Sequence, residues 1–124
     1  MSKAMVVDDS KAIRMILSKT LKDVGYQVCE ASNGREALSV FEREKADISL
    51  VLVDWNMPQM NGLEFVQQLR SDPRYSSVVL MMVTTETEVE QMVKALEAGA
   101  NEYVMKPFTK EIIEDKLRML GVLQ

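Results

Sequence analysis

Asp8, Asp9, Asp54, Thr84 and Lys106 are the side chains of this sequence on which a reaction could be built. The chain has no histidine and a single cysteine, Cys29. Ser-His and Cys-His nucleophile pairs and His-ligated metal centres are excluded on that ground, as is an internal disulfide. Carboxylates, hydroxyls and lysine must carry the chemistry. Carboxylates crowded together repel one another, which raises their pKa values and costs stability, so a positive group is expected among them. Oxygen ligands without imidazole or thiolate favour a hard cation, and a few carboxylates with several retained waters suit Mg2+ better than a full Ca2+ cage. Lys106 supplies a second positive charge, able to contact a carboxylate or phosphoryl oxygens. Thr84 adds a hydroxyl donor. A metal, an ammonium and a hydroxyl around one carboxylate match phosphoryl transfer, where catalysis is mainly positioning and neutralisation of the equatorial oxygens. Asp54 is the reasonable nucleophile.

The hydrophobic pattern says how such residues would meet. An apolar run over 3–7 ends in Asp8-Asp9, and Ile13, Ile16, Leu17, Leu21 and Val24 then recur at helical spacing. Ser10 is placed to cap that helix and Gly25 to end it with positive φ. Residues 26–31 resemble a strand, and Asn33 with Glu36 makes a capping signature for a helix to about Lys45. Residues 50–54 form the third strand, the loop 57–62 breaks it, and Leu63, Val66 and Leu69 mark the third helix. The run 78–83 is apolar on both faces, as an interior parallel strand requires. Thr87 with Glu90 forms another capping box, ahead of a helix lined by Val89, Met92, Val93 and Leu96 and closed by Gly99. A short strand over 102–105, the turn at Lys106-Pro107 and a helix from Thr109 bearing Ile113, Leu117 and Leu120 complete the pattern.

Five strands alternating with five helices predict an α/β fold, a doubly wound parallel sheet with helices on both faces. Ligands of such sheets bind outside the carboxyl ends of the strands, where the strand order reverses. Asp8 and Asp9 end the first predicted strand, Asp54 the third and Thr84-Thr85 the fourth, and Lys106 follows the fifth. One edge collects every candidate.

The bulk composition agrees. At 124 residues the chain fits one domain, 1–124, since single cores form at about 100 to 150 residues. Hydrophobic residues at 47% and charged residues at 27% suit a soluble globular protein. The longest apolar run, 78–83, is far short of the roughly 20 residues of a membrane helix. With no signal-peptide pattern at the N-terminus, a cytoplasmic protein free of the membrane is expected. A net charge of −4 gives no long-range attraction for nucleic acid. Cys29 reads as a small buried strand hydrophobe, and most of the methionines, Met5, Met15, Met81 and Met105 among them, read as core filling. Glu88, Glu90, Lys94 and Glu97 read as a solvated helix face. Trp55 reads as packing whose place beside Asp54 makes it a fluorescence reporter of metal binding.

Asp8-Asp9, the segment Asp54-Trp55-Asn56-Met57-Pro58-Gln59-Met60-Asn61-Gly62, Thr84, and Tyr103-Val104-Met105-Lys106-Pro107-Phe108 closely resemble response-regulator receiver domains. The resemblance covers essentially the whole chain. Trp55, Asn56, Glu86 and Tyr103 make it most similar to stand-alone chemotaxis regulators of the CheY type. It implies a flavodoxin-like sheet of order 2-1-3-4-5 and phosphorylation of Asp54 by a histidine kinase. Asp9, Asp54 and the Asn56 carbonyl would hold Mg2+, with Asp8 acting through water. Lys106 would bind a phosphoryl oxygen, Thr84 would move toward another, and Tyr103 would then turn inward, changing the face formed by helix 4, strand 5 and helix 5. A cis Lys106–Pro107 bond is implied too. The residue after the switch Thr is usually small in the family; Thr85 departs from that and should slow phosphoryl gain or loss by narrowing access to Asp54. Asn56 and Glu86 flank the same opening and would tune hydrolysis.

The function implied is a monomeric signalling protein whose only reactions are self-phosphorylation from a donor and slow self-dephosphorylation. With no DNA-binding module after Gln124, output is expected through protein contact, foremost with the flagellar motor switch. The same chemistry would serve a phosphorelay intermediate or phosphate sink exchanging with a histidine phosphotransfer domain, and a dedicated phosphatase would be a further partner. A haloacid-dehalogenase-like phosphatase needs a second Asp two residues after the first, where this chain has Asn56. A flavodoxin-like FMN carrier needs a phosphate-friendly loop where this chain has Asp8-Asp9-Ser10.

Overall fold

The computed structural model describes residues 3–44, 48–85 and 89–122. Strands β1 (Lys3–Val7), β2 (Gln27–Ala31), β3 (Ile48–Val53), β4 (Val79–Thr84) and β5 (Glu102–Met105) alternate with helices α1 (Lys11–Asp23), α2 (Gly34–Glu44), α3 (Gly62–Arg70), α4 (Val89–Ala98) and α5 (Lys110–Met119). The strands form one parallel sheet in the order β2-β1-β3-β4-β5. The fold is the doubly wound α/β sheet that the sequence predicts.

Strand alternation sorts the core into two layers, because successive side chains point to opposite faces. Ala4, Val6, Leu50, Leu52, Met81, Val83 and Val104 face Leu17 and Leu21 of α1 and Ile113 and Leu117 of α5. Met5, Val7, Val51, Val53, Leu80 and Met82 face the other way, toward Phe41 of α2, Phe65 and Leu69 of α3 and Ala95 of α4. Burying both faces of the central strands is why their sequences are near-continuous apolar runs.

Local signals set the helix ends. Ser10 caps α1, its hydroxyl accepting from the Ile13 N–H at 3.3 Å, and Gly25 has φ +104°. The Asn33 side chain accepts from the Glu36 N–H at 2.8 Å, while the Glu36 carboxylate accepts from the Ser32 hydroxyl. A reciprocal capping box joins Asn61 and Glu64 at the start of α3, a pairing the sequence reading passed over inside the loop. A 3-10 turn over Pro73–Tyr75, capped by Asp72, was also missed. The Thr87–Glu90 box, Lys45 and Glu88 lie outside the described residues, as does Thr87 itself.

Two methionine assignments need correction. Met5 and Met81 are fully buried, but Met15 is 60% and Met105 46% exposed. Met15 falls on the outer face of α1, and Met105 ends an edge strand, so lying in a regular element does not make either residue core. Cys29 is half-buried rather than buried. Among the described residues no helix is long and apolar enough to cross a membrane.

Candidate functional site

Register brings the site together. Val7 pairs with Val53 across β1 and β3, so the next residues, Asp8 and Asp54, leave the sheet side by side, with the Asp54 N–H donating to the Val7 carbonyl at 2.9 Å. In the sheet order the direction of winding reverses between these two strands, the place where open α/β sheets bind ligands. Thr84 pairs with Met105, and the Lys106 N–H donates to the Thr84 carbonyl at 2.8 Å. Lys106 thus starts its side chain one residue beyond the β5 edge and turns it back toward the acids. The Lys106–Pro107 bond is cis.

Lys106 Nζ lies 2.8 Å from Asp8 Oδ2 and 3.5 Å from Asp54 Oδ2, with its side chain 14% exposed. It is not the solvated surface lysine that its residue type would suggest. Asp8 is buried, and its other carboxylate oxygen accepts the Ser10 N–H at 2.9 Å. Asp54 is buried as well, and its Oδ1 has no hydrogen-bond partner among the described residues. Burial pushes the Asp54 carboxyl above the ordinary carboxylate range. The Thr84 hydroxyl and the Lys106 charge pull it back, the Asp8 charge adds to the rise, and the Asn56 backbone lowers it. An oxygen that is buried and unpartnered is costly when charged, and an incoming cation or phosphoryl group would relieve that cost.

Asp9 is exposed, and one carboxylate oxygen each from Asp8, Asp9 and Asp54 lies within 4.8 Å of the others. This all-oxygen set, open to solvent on the Asp9 side and holding an orphaned Asp54 oxygen, fits a hard divalent cation that keeps part of its water shell.

The loop after β3 is built around close backbone approaches. Gly62 donates its N–H to the Trp55 carbonyl at 2.9 Å, and a Cβ on Gly62 would stand only 2.2 Å from the Asp54 carbonyl oxygen. Glycine at the first turn of α3 is what lets that helix close over Asp54. Gln59 takes φ 67° to complete the turn, an unusual conformation for a residue with a side chain. Trp55 packs into the core directly after Asp54.

The other expected residues distribute as follows. Thr84 is fully buried beside Asp54. Asn56 and Thr85 are exposed at the rim, Thr85 lining an apolar groove with Ile13, Ile16, Lys106, Pro107 and Phe108. Glu86 lies outside the described residues. Tyr103 is only 6% exposed and belongs to the core layer that holds Met82 and Ala95. The inward position that the resemblance assigns to the phosphorylated form is therefore its position in this structure, and burying the ring's large apolar area is reason enough for it. Sequence reasoning missed Arg14, whose Nη1 donates to the Asp8 carbonyl at 2.6 Å. A side chain that serves a backbone oxygen leaves no residue pattern to find.

The model of the response regulator receiver domain matches residues 4–118. The chain is 42% identical over 119 residues to the chemotaxis protein CheY1 of Helicobacter pylori, covering 95% of each. It is 41% identical over 116 residues to a chemotaxis protein CheY homolog of Campylobacter jejuni, covering 93% of this chain and 88% of that one. Among solved structures, the chemotaxis protein CheY4 of Vibrio cholerae superimposes with a TM-score of 0.88 at 38% identity, over 96% of this chain and 98% of the other. On matches of that extent and identity, this chain belongs to the response regulator receiver domain family.

Proposed function

We propose that this protein is a chemotaxis response regulator in which residues 1–124 act as one receiver domain, phosphorylated on Asp54 in the cytoplasm and signalling through protein contact. The observation that carries the reading is the buried Asp54 carboxylate with one unpartnered oxygen, set between Lys106, Thr84 and the acid pair. An Asp54 oxygen attacks the phosphorus of a phosphohistidine, the P–N bond breaks, its electron pair goes to the imidazole, and an acyl phosphate forms. Lys106 neutralises a phosphoryl oxygen as a point charge and, through Asp8, keeps the edge from accumulating net negative charge. Thr84 donates to a second oxygen. Asp9, Asp54 and the Asn56 carbonyl would hold Mg2+, and Asp8 would act through water while its oxygens keep the Ser10 N–H and Lys106 Nζ. Mg2+ held there would supply positive charge to neutralise the phosphoryl oxygens. Hydrolysis needs a water to reach the same phosphorus past Asn56 and Thr85.

Output fits the face formed by α4, β5 and α5. Val89, Val93 and Leu96 of α4, Met105 of β5 and Ile112 of α5 are exposed on these three elements, apolar area suited to a partner. The new phosphoryl contacts would bias the Thr84 and Tyr103 arrangement that underlies this face. Chemotaxis rests on the kinship with the CheY proteins, and the flagellar motor switch as partner is what the family resemblance implies. The test is capture of motor-switch protein by this chain with and without a small-molecule phosphodonor and Mg2+. Capture that rises on phosphorylation and is lost in Asp54→Asn is expected. Equal capture under both conditions would contradict signalling by phosphorylation, and rapid transfer of the phosphoryl group to a histidine phosphotransfer domain without motor binding would replace this reading with that of a phosphate sink.

A further inference from the structure

We infer that Arg14 is a positioning residue for the acid pair, holding the Asp8–Asp9 peptide so that the Asp9 carboxylate faces the cation site. The inference rests on the Mg2+ site proposed above and concerns a residue outside it. Arg14 sits in the first turns of α1 and reaches back to the end of β1, where Nη1 donates to the Asp8 carbonyl at 2.6 Å. Its Nε donates to Glu30 Oε1 in β2 at 3.1 Å, and Glu30 Oε2 accepts from the Ser18 hydroxyl at 3.1 Å. The guanidinium is thus anchored on its far side by a carboxylate that is itself held to α1, and its side chain is 16% exposed. Its planar fork fixes both donors in one geometry, which an ammonium cannot do.

The carbonyl it holds belongs to the peptide that joins Asp8 to Asp9. Asp8 is fixed at every other polar group: its N–H donates to the Ala31 carbonyl, and its carboxylate takes the Ser10 N–H and Lys106 Nζ. Among the described residues no hydrogen bond or ion pair holds the Asp9 carboxylate, so its aim is set by the backbone that carries it. Fixing the Asp8 carbonyl fixes that backbone. A guanidinium this close to a divalent cation site also repels the cation. Charge and positioning therefore have opposite effects on affinity, which makes the two roles separable.

The test is titration of wild type, Arg14→Gln, Arg14→Lys and Arg70→Gln with MgCl2 alone, followed by Trp55 fluorescence and by calorimetry, with urea unfolding of each variant. Arg70 makes a comparable fork at the opposite end of the sheet, to the Gly99 and Tyr75 carbonyls and Asn101, and serves as the control for a merely structural loss. Arg14→Gln is expected to weaken Mg2+ binding about ten-fold, as loss of a group that orients a ligand typically does. Arg14→Lys, which keeps the charge and loses the fork, should also bind more weakly, and Arg70→Gln should keep wild-type affinity. Tighter binding by Arg14→Gln with wild-type affinity in Arg14→Lys would reveal a pure charge effect and overturn the inference. Lower stability with unchanged affinity in both Arg14 variants would overturn it equally. A wild-type protein without a saturable response would overturn the metal site and this inference together.

Discussion

Asp54 derives its character from its neighbours. A single acid at a strand end is ordinarily a cap or turn former, and only its company with Asp8, Asp9, Thr84 and Lys106 marks it in the sequence. What the sequence could not show is that one of its oxygens is buried without a partner among the described residues, since that depends on the tertiary arrangement of the strand ends. Folding raises the Asp54 pKa, so the native state binds more protons than the unfolded state from the ordinary carboxylate value up to the raised one. Stability should fall as pH rises through that window and stay lower above it. Asp54→Ala, measured by urea unfolding at neutral pH without Mg2+, should be more stable than wild type by about 1–3 kcal/mol, the usual cost of an unsatisfied buried polar group. Its stability should also lose this component of pH dependence; a variant no more stable than wild type would contradict the assignment. Thr85, exposed at the rim beside Lys106, is expected to slow exchange at Asp54. Thr85→Ala should accelerate both phosphorylation and dephosphorylation in a time course with a small-molecule donor, and unchanged rates would remove Thr85 from the account.

Elements place these residues with a precision that spacing alone hides. The central strands β1, β3 and β4 were legible because their apolar runs are buried on both faces, and α1, α2 and α5 because their apolar stripes and N-terminal caps agree. The start of α3 was legible to within a residue, but its Asn61–Glu64 capping box was not, because Asn61 falls in a segment that reads as loop. Gly62 reads there as one more turn former, yet its lack of a Cβ is what allows α3 to meet the Asp54 carbonyl. Gly62→Ala would force the helix and the Asp54 loop apart. A loss of at least about 1–3 kcal/mol in urea unfolding is expected, the range for overpacking a close contact, together with weaker Mg2+ binding. Unchanged values of both would mean that the loop has slack. Met15 and Met105 show the converse error, in which membership of a regular element was taken for burial. Their exposure follows from which face of α1 and which edge of the sheet they occupy, and only the tertiary arrangement decides that.

At the scale of the whole molecule, the parallel order β2-β1-β3-β4-β5 makes sense of residues spread from 8 to 106 in the chain. It sets β1 and β3 next to each other, so Asp8 and Asp54 share an edge, and it carries β5 to the position from which Lys106 reaches both. Alternation of strands and helices was enough to predict a doubly wound sheet, whereas the order itself came only through the family resemblance. The account as a whole stands on Asp54 accepting a phosphoryl group. Intact mass measurement after incubation with Mg2+ and a small-molecule phosphodonor tests this most directly. A single phosphoryl adduct on wild type, diminished without Mg2+ and absent from Asp54→Asn, is the expected result; no adduct on wild type, or one that persists in Asp54→Asn, would contradict it.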